Sequence, residues 1–249
     1  GALLGVSDRR VSQLLQPLRQ ASLVASVGGR LVLSDRGLAL LARRDRAAAN
    51  LARRRWSALP LDPHAPPAWR NVSGKRSRQL LRTIEHTAAV HGFVAALAEQ
   101  AHDEGWEVEQ LDPPHRASRY FRHRDCLYSV HPDAFGLLRR EGKRWAFFLE
   151  WERRAVRPST MAARLAPYLR YYASQRPTDD HGLRPDVLVV FEDELAADHF
   201  LRVARSEMKR ARVDLPLRVS NRALLGREGP LGPAWRSPGD PAATVAAVG

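Results

Sequence analysis

The chain has 249 residues, 44% of them apolar, and 40 Lys and Arg against 27 Asp and Glu give a formal charge of +13 and a pI near 11.0. That length allows one large domain or two modest ones with a real core, and the charge makes a polyanion the default partner. A single cysteine, Cys126, excludes an intramolecular disulfide and a cysteine-based zinc cluster. No apolar run approaches the roughly 18 residues of a membrane span, and no signal peptide is visible, so the expectation is a cytoplasmic protein with no membrane partner.

Residues 1–45 read as a small helical DNA-binding domain. A short apolar start (Ala2, Leu3, Leu4) reaches Ser7, whose hydroxyl suits the N-cap of a helix over 8–20. Val11, Leu14, Leu15 and Leu18 share one face of that helix, and Arg9, Arg10, Ser12, Gln13 and Gln16 share the other. Residues 26–34 read as a hairpin turning at Gly28-Gly29, followed by a helix from Ser34 to about Arg44. Helix, turn, polar-faced helix and Gly-tipped ribbon in this order resemble a winged helix-turn-helix. Its recognition helix would place Arg9, Arg10, Ser12, Gln13 and Gln16 in the major groove, and Arg30 on the wing would meet phosphate. The simpler alternative is a helical hairpin with a solvated basic face. Little sequence precedes the motif and the chain begins with Gly, so a fragment is expected, its leading helix missing or supplied by residues outside this chain.

Residues 46–82 read as a basic, Pro-rich connector, in which Pro60, Pro63, Pro66 and Pro67 break helix. Arg53, Arg54, Arg55, Lys75, Arg76 and Arg78 are candidates to track a phosphate backbone. A solvated charge run is the more ordinary reading of such a stretch.

From 83 to 225 an α/β series is expected. A helix over 83–101 is followed by a strand at 106–112 and then by two strands, 128–140 and 143–154, joined by a tight Glu141-Gly142 turn. A helix at 159–175, a continuous apolar strand at 185–193, a helix at 194–211 and a strand at 215–221 complete the series. The run PDVLVVFE is apolar without alternation, the pattern of a central strand covered on both faces. The tail, 226–249, is rich in Gly, Pro and Ala and is expected to be irregular or loosely docked.

Three carboxylates stand out. Asp133 follows Pro132, and Glu150 and Glu152 alternate along the next strand, so they point to one face. Converging carboxylates need a counter-charge, and Mg²⁺, with Mn²⁺ as substitute, takes oxygen ligands and bridges to phosphate. The alternatives are a turn-forming acid after Pro for Asp133, and a solvated strand face paired with arginines for Glu150 and Glu152.

The order α-β-β-β-α-β-α-β, with an acid after Pro on the second strand and an acidic pair on the third, resembles the PD-(D/E)XK nuclease-like fold, a mixed central sheet flanked by helices. The pattern ends in Lys, and here that position is Glu152; Arg153 or Arg154 would offer the replacement charge. More of the chain resembles the replication-relaxation family of plasmids and integrative elements. The resemblance is carried by IEHTAAVHGFVAAL (84–97), HPDAFGLL (131–138), FFLEWERR (147–154) and RLAPYLRYY (164–172). It implies a winged helix ahead of a nuclease-like domain, with Asp133 and Glu150 holding Mg²⁺ and Glu152 completing the shell or orienting water. His86 matches a family-typical histidine on the first helix, near Glu85. Expected, then, is a DNA-binding protein of a mobile element acting in replication, relaxation or transfer, with a domain able to nick or cut DNA, and a homodimer as a candidate assembly. The alternative is a transcriptional regulator whose nuclease-like domain is inactive and serves dimerisation or sensing. Tyr168, Tyr171 and Tyr172 read as residues of a packed helix rather than as nucleophiles.

Overall fold

The computed structural model describes residues 6–27, 29–65, 68–152 and 158–248, which form a mixed α/β protein in two units, 1–88 and 89–249. Charge divides unevenly between them. The first unit has sixteen Arg and Lys against five Asp and Glu, and the second has twenty-four against twenty-two.

In the first unit, α1 (Asp8–Gln20) starts where Ser7 Oγ accepts from Arg10 N, as its sequence signal requires. Strands β1 (Val24–Val27) and β2 (Arg30–Leu33) form an antiparallel ribbon. Gly29 in its turn has φ +74°, while Gly28 lies outside the described residues. Helix α2 (Asp35–Arg44) is capped by Ser34, whose Oγ accepts from Gly37 N and donates to Ser22 O, tying the helix start to the chain before β1. The apolar side of α1 is less covered than its pattern implies: Val11 and Leu15 are half-buried, and Leu14 and Leu18 are exposed. The apolar start at Ala2–Leu4 lies outside the described residues.

The stretch expected as a connector has regular structure. It holds α3 (Ala49–Trp56), a 3-10 turn at Trp69–Asn71 and α4 (Lys75–Arg82). Pro60 and Pro63 fall between these helices, in a loop closed by a bridge between Pro60 and Val72 and by hydrogen bonds between Asp62 and Asn71, while Pro66 and Pro67 lie outside the described residues.

The unit boundary falls within α5 (Ile84–Asp103), whose buried side chains begin at Val90. The second unit is built on a five-stranded sheet of order β3-β6-β7-β8-β9, comprising Glu107–Asp112, Ala134–Arg140, Lys143–Glu152, Asp186–Phe191 and Leu217–Asn221. The first three strands are mutually antiparallel and the last three parallel. Between β3 and β6 come the single turn α6 (Pro114–Ala117) and a separate hairpin, β4 (Arg119–His123) with β5 (Cys126–Val130). The stretch expected as one strand over 128–140 is therefore two. His131-Pro132-Asp133 interrupts it, because proline cannot donate to a ladder.

Helix α7 (Pro158–Tyr172), the short α8 (Arg176–His181) and α9 (Glu194–Ala211) complete the parallel crossovers. One core lies on the sheet face that carries Phe135, Phe148, Val189 and Phe191, packed with Met161, Leu165, Tyr168 and Phe200. The opposite face carries Phe147, Leu149, Trp151, Leu188 and Val190, packed with Phe93, Leu97 and Trp235. Strands β7 and β8 are buried on both faces, which is why their sequences read apolar without alternation.

The tail departs from expectation. After α10 (Arg222–Glu228), the chain returns to the sheet through bridges Val219–Arg236 and Trp235–Val245. Ala234, Trp235 and Ala247 are fully buried. Trp235 donates its indole N–H to Pro230 O at 2.8 Å and meets Phe93 edge-to-face. Its low-complexity composition concealed a core segment, because one large aromatic gives enough apolar area to dock a chain with little regular structure.

Candidate functional site

Glu150 and Glu152 are the last residues of β7 on the face turned to α7, beyond Phe148. Asp133 precedes β6, and because β6 runs antiparallel to β7, both reach the same end of the sheet. Asp133 is locked there by its own backbone and side chain. Its N–H donates to Leu149 O, and its Oδ2 accepts from Trp151 N, both at 2.8 Å. The aspartate thus extends the ladder past Pro132, with Glu150 lying between the two residues it bonds.

Glu150 is partly buried at the end of β7. Its Oε1 accepts a 2.6 Å hydrogen bond from the Tyr168 hydroxyl of α7. Burial pushes the Glu150 carboxyl up to about 8; the Tyr168 bond opposes this, the Asp133 charge adds to it, and the Arg164 charge opposes it. The shift favours the neutral acid. The Tyr168 phenol is also raised well above its ordinary value, by burial first and by Glu150 next, so it stays a neutral donor.

Glu152 is engaged differently. Its carboxylate pairs with the Arg164 guanidinium, one turn before Tyr168 on α7. Trp151, on the opposite face, donates its indole N–H to Glu192 Oε1 at 3.1 Å, and Arg222 pairs with the other oxygen of Glu192 at 3.2 Å. Arg153 and Arg154, expected as the positive charge near this strand, lie outside the described residues.

The structure therefore brings Asp133, Glu150 and Glu152 to one sheet end and one face. Among the described residues, no group of three or more His, Cys, Asp or Glu is arranged to hold a metal ion. Glu85 and His86 lie in the first turn of α5, on the first unit's side of the division, and neither is without a partner. Arg164 is a participant that the sequence did not single out, and Tyr168, read there as a residue of a packed helix, also bonds the site. Their spacing of four on a helix that packs on the sheet was the available signal, but an apolar stripe through Leu165 and Leu169 reads as core.

As a divalent-cation site, the Asp133–Glu150 pair fits the minimal Mg²⁺ arrangement of one or two carboxylates completed by water and phosphate. Glu152 does not fit a third ligand position while Arg164 holds it.

In the first unit Arg9, Arg10, Ser12, Gln13 and Gln16 are all exposed along α1, and Arg30 is exposed at the start of β2. Their side chains are free to face a partner rather than a core.

No curated protein and no solved structure matches the chain. A family model, replication-relaxation, matches residues 3–187, which run from before α1 into β8 and include every residue of the carboxylate site. The chain belongs to the replication-relaxation family.

Proposed function

We propose that this protein binds DNA in the replication or relaxation of a plasmid or other mobile element, through a winged-helix first unit, and that its second unit is a PD-(D/E)XK nuclease-like domain. The observation that carries the reading is the pairing of a strongly basic first unit, its polar α1 face exposed, with a nearly neutral second unit whose sheet end gathers Asp133, Glu150 and Glu152. DNA affinity then resides in the first unit, and the second contributes a carboxylate site to DNA already held.

In that site Asp133 and Glu150 would hold Mg²⁺, or Mn²⁺ in its place. The ion would supply an activated water and stabilise charge on a phosphate. The chain's own residues prepare the site. Asp133 is fixed by the two backbone bonds to β7, Tyr168 orients Glu150, and Arg164 sets the position of Glu152. Glu150 must lose its proton to bind the ion, so metal affinity is expected to rise with pH up to about 8.

A second reading is favoured by the Glu152–Arg164 pair and by the upward shift of the Glu150 carboxyl: an inactive nuclease-like domain in a transcriptional regulator. Supercoiled plasmid incubated with the protein and Mg²⁺ or Mn²⁺ separates the two. Nicking or cutting that is lost in both Asp133→Ala and Glu150→Ala supports the enzyme. Salt-sensitive binding with the plasmid left intact supports the regulator.

A further inference from the structure

Helices α3 and α4 meet in a tight corner. Gly74 N donates to Ser57 O at 3.0 Å, and Ser77 Oγ donates to Trp56 O at 2.9 Å, so the start of α4 is fastened to the end of α3. A Cβ at position 74 would lie 2.4 Å from Ser57 O, so the approach requires glycine. The corner joins two basic segments about twenty residues apart in sequence: Arg53, Arg54 and Arg55 at the end of α3, and Lys75, Arg76 and Arg78 on α4.

All six side chains are exposed, as are Arg70 and Arg82 nearby. Their visible partners are neutral. Arg53 reaches Asp35 O, Arg76 the Gln79 amide, Arg78 the Ser73 carbonyl, while Arg70 and Arg82 lie over the Trp69 ring at 4.8 and 4.0 Å. Between residues 46 and 84 the only acid is Asp62. Eight cations gathered with so little counter-charge repel one another, a cost that a polyanion removes. Arginines held against neutral acceptors and an aromatic face keep their charge available and their heads ordered, which suits a regular array of phosphates.

We infer that the α3–α4 corner is a second DNA-contact surface, one that grips the duplex backbone by charge without reading base sequence. The inference rests on the DNA-binding reading above and adds to it a division of labour: α1 and the β1–β2 ribbon discriminate sequence, and the corner supplies sequence-independent affinity.

The test uses the full chain carrying Arg54→Gln, Arg55→Gln, Lys75→Gln and Arg76→Gln together, with binding to a preferred and to an unrelated duplex followed across salt concentrations. For every phosphate that the variant no longer neutralises, the slope of log affinity against log salt should flatten by about 0.9. Both duplexes should bind more weakly by a similar factor, about tenfold or more at low salt. Arg54→Lys, Arg55→Lys and Arg76→Lys, which keep the charge, should keep the slope and so report on charge rather than on folding. An unchanged slope in the Gln variant, beside weakened binding in an Arg9, Arg10 and Gln13 to Ala variant, overturns the corner and leaves the α1 reading intact. Wild-type protein that binds no duplex overturns both. Binding to phosphatidylserine vesicles that the Gln variant loses, with its DNA slope unmoved, assigns the corner to a membrane surface instead.

Discussion

The Tyr168 hydroxyl lies 2.6 Å from Glu150 Oε1, joining α7 to the end of strand β7 at the point where Asp133 adds its own negative charge. Burial in this setting favours the protonated carboxyl, and ionising it costs the folded state. The carboxyl of Glu150 titrates near 8 in the fold against an ordinary value of 4.5. Between those values the folded protein binds more protons than the unfolded chain, so this group's contribution to stability falls as pH rises from about 4.5 to 8. Asp133 strengthens the effect, while Tyr168 and Arg164 restrain it. Glu150→Gln keeps an acceptor for Tyr168 and removes the titration. In the absence of divalent ions it is expected to be more stable than wild type at pH 8, by at least ~1 kcal/mol, and close to wild type at pH 4.5. Urea denaturation at several pH values with a chelator present would show this, and a gap that stays constant with pH would refute it.

The Glu152–Arg164 pair predicts a coupling. Glu152 is nearly enclosed and Arg164 about half exposed, so the pair should be worth about 1 kcal/mol in a double-mutant cycle of Glu152→Gln and Arg164→Gln. Removing Arg164 also withdraws a charge that holds the Glu150 carboxyl down. Arg164→Gln should therefore move the Glu150 titration further upward, read by carboxyl NMR shifts. A titration left in place would mean that Arg164 acts on Glu152 alone.

His181 predicts the acid limb. Its ring stacks on Phe135 at 4.7 Å and meets Phe148 edge-on, and burial, with the Arg119 charge, pushes it down to about 4; Asp180 and Asp112 oppose this. Between pH 6.5 and 4 the unfolded chain binds the extra proton, so stability rises with pH across that window and is lost on acidification. Replacing His181 by Phe should flatten the dependence of the unfolding midpoint over that range. A dependence identical to wild type would place the acid sensitivity elsewhere.

The tail makes the simplest stability prediction. Trp235→Ala empties a fully buried indole site and leaves Pro230 O without its donor, so a loss of about 3–5 kcal/mol is expected. Truncation after Glu228 should leave a chain that no longer unfolds cooperatively, as seen by calorimetry. A truncated chain with a normal transition would show that the docked tail is dispensable.

How much of this was legible in sequence depends on where the information sits. Local signals were enough for α1, the β1–β2 ribbon, α9 and the central strands, because caps, turn residues and apolar period act over a few residues. The turn at Glu141-Gly142, with φ of +50° and +82°, announced itself through its glycine. The equivalent turn at Arg124-Asp125 has φ of +49° and +63°, but carries no glycine, so the β4–β5 hairpin it closes left little trace. The structured α3–α4 segment was obscured by Pro60 and Pro63, which fall between its helices rather than within them.

The sequence by itself determined that acids stand at 133, 150 and 152 and that alternation turns the last two to one face. Only the tertiary structure decided their chemistry. It paired Glu152 with Arg164, gave Tyr168 to Glu150, and brought Trp235 back into the core from a stretch with no periodic pattern. The physical reason is the same in each case. Strand alternation is fixed by the backbone, whereas the protonation and partners of a carboxyl depend on which side chains of a distant helix close over it.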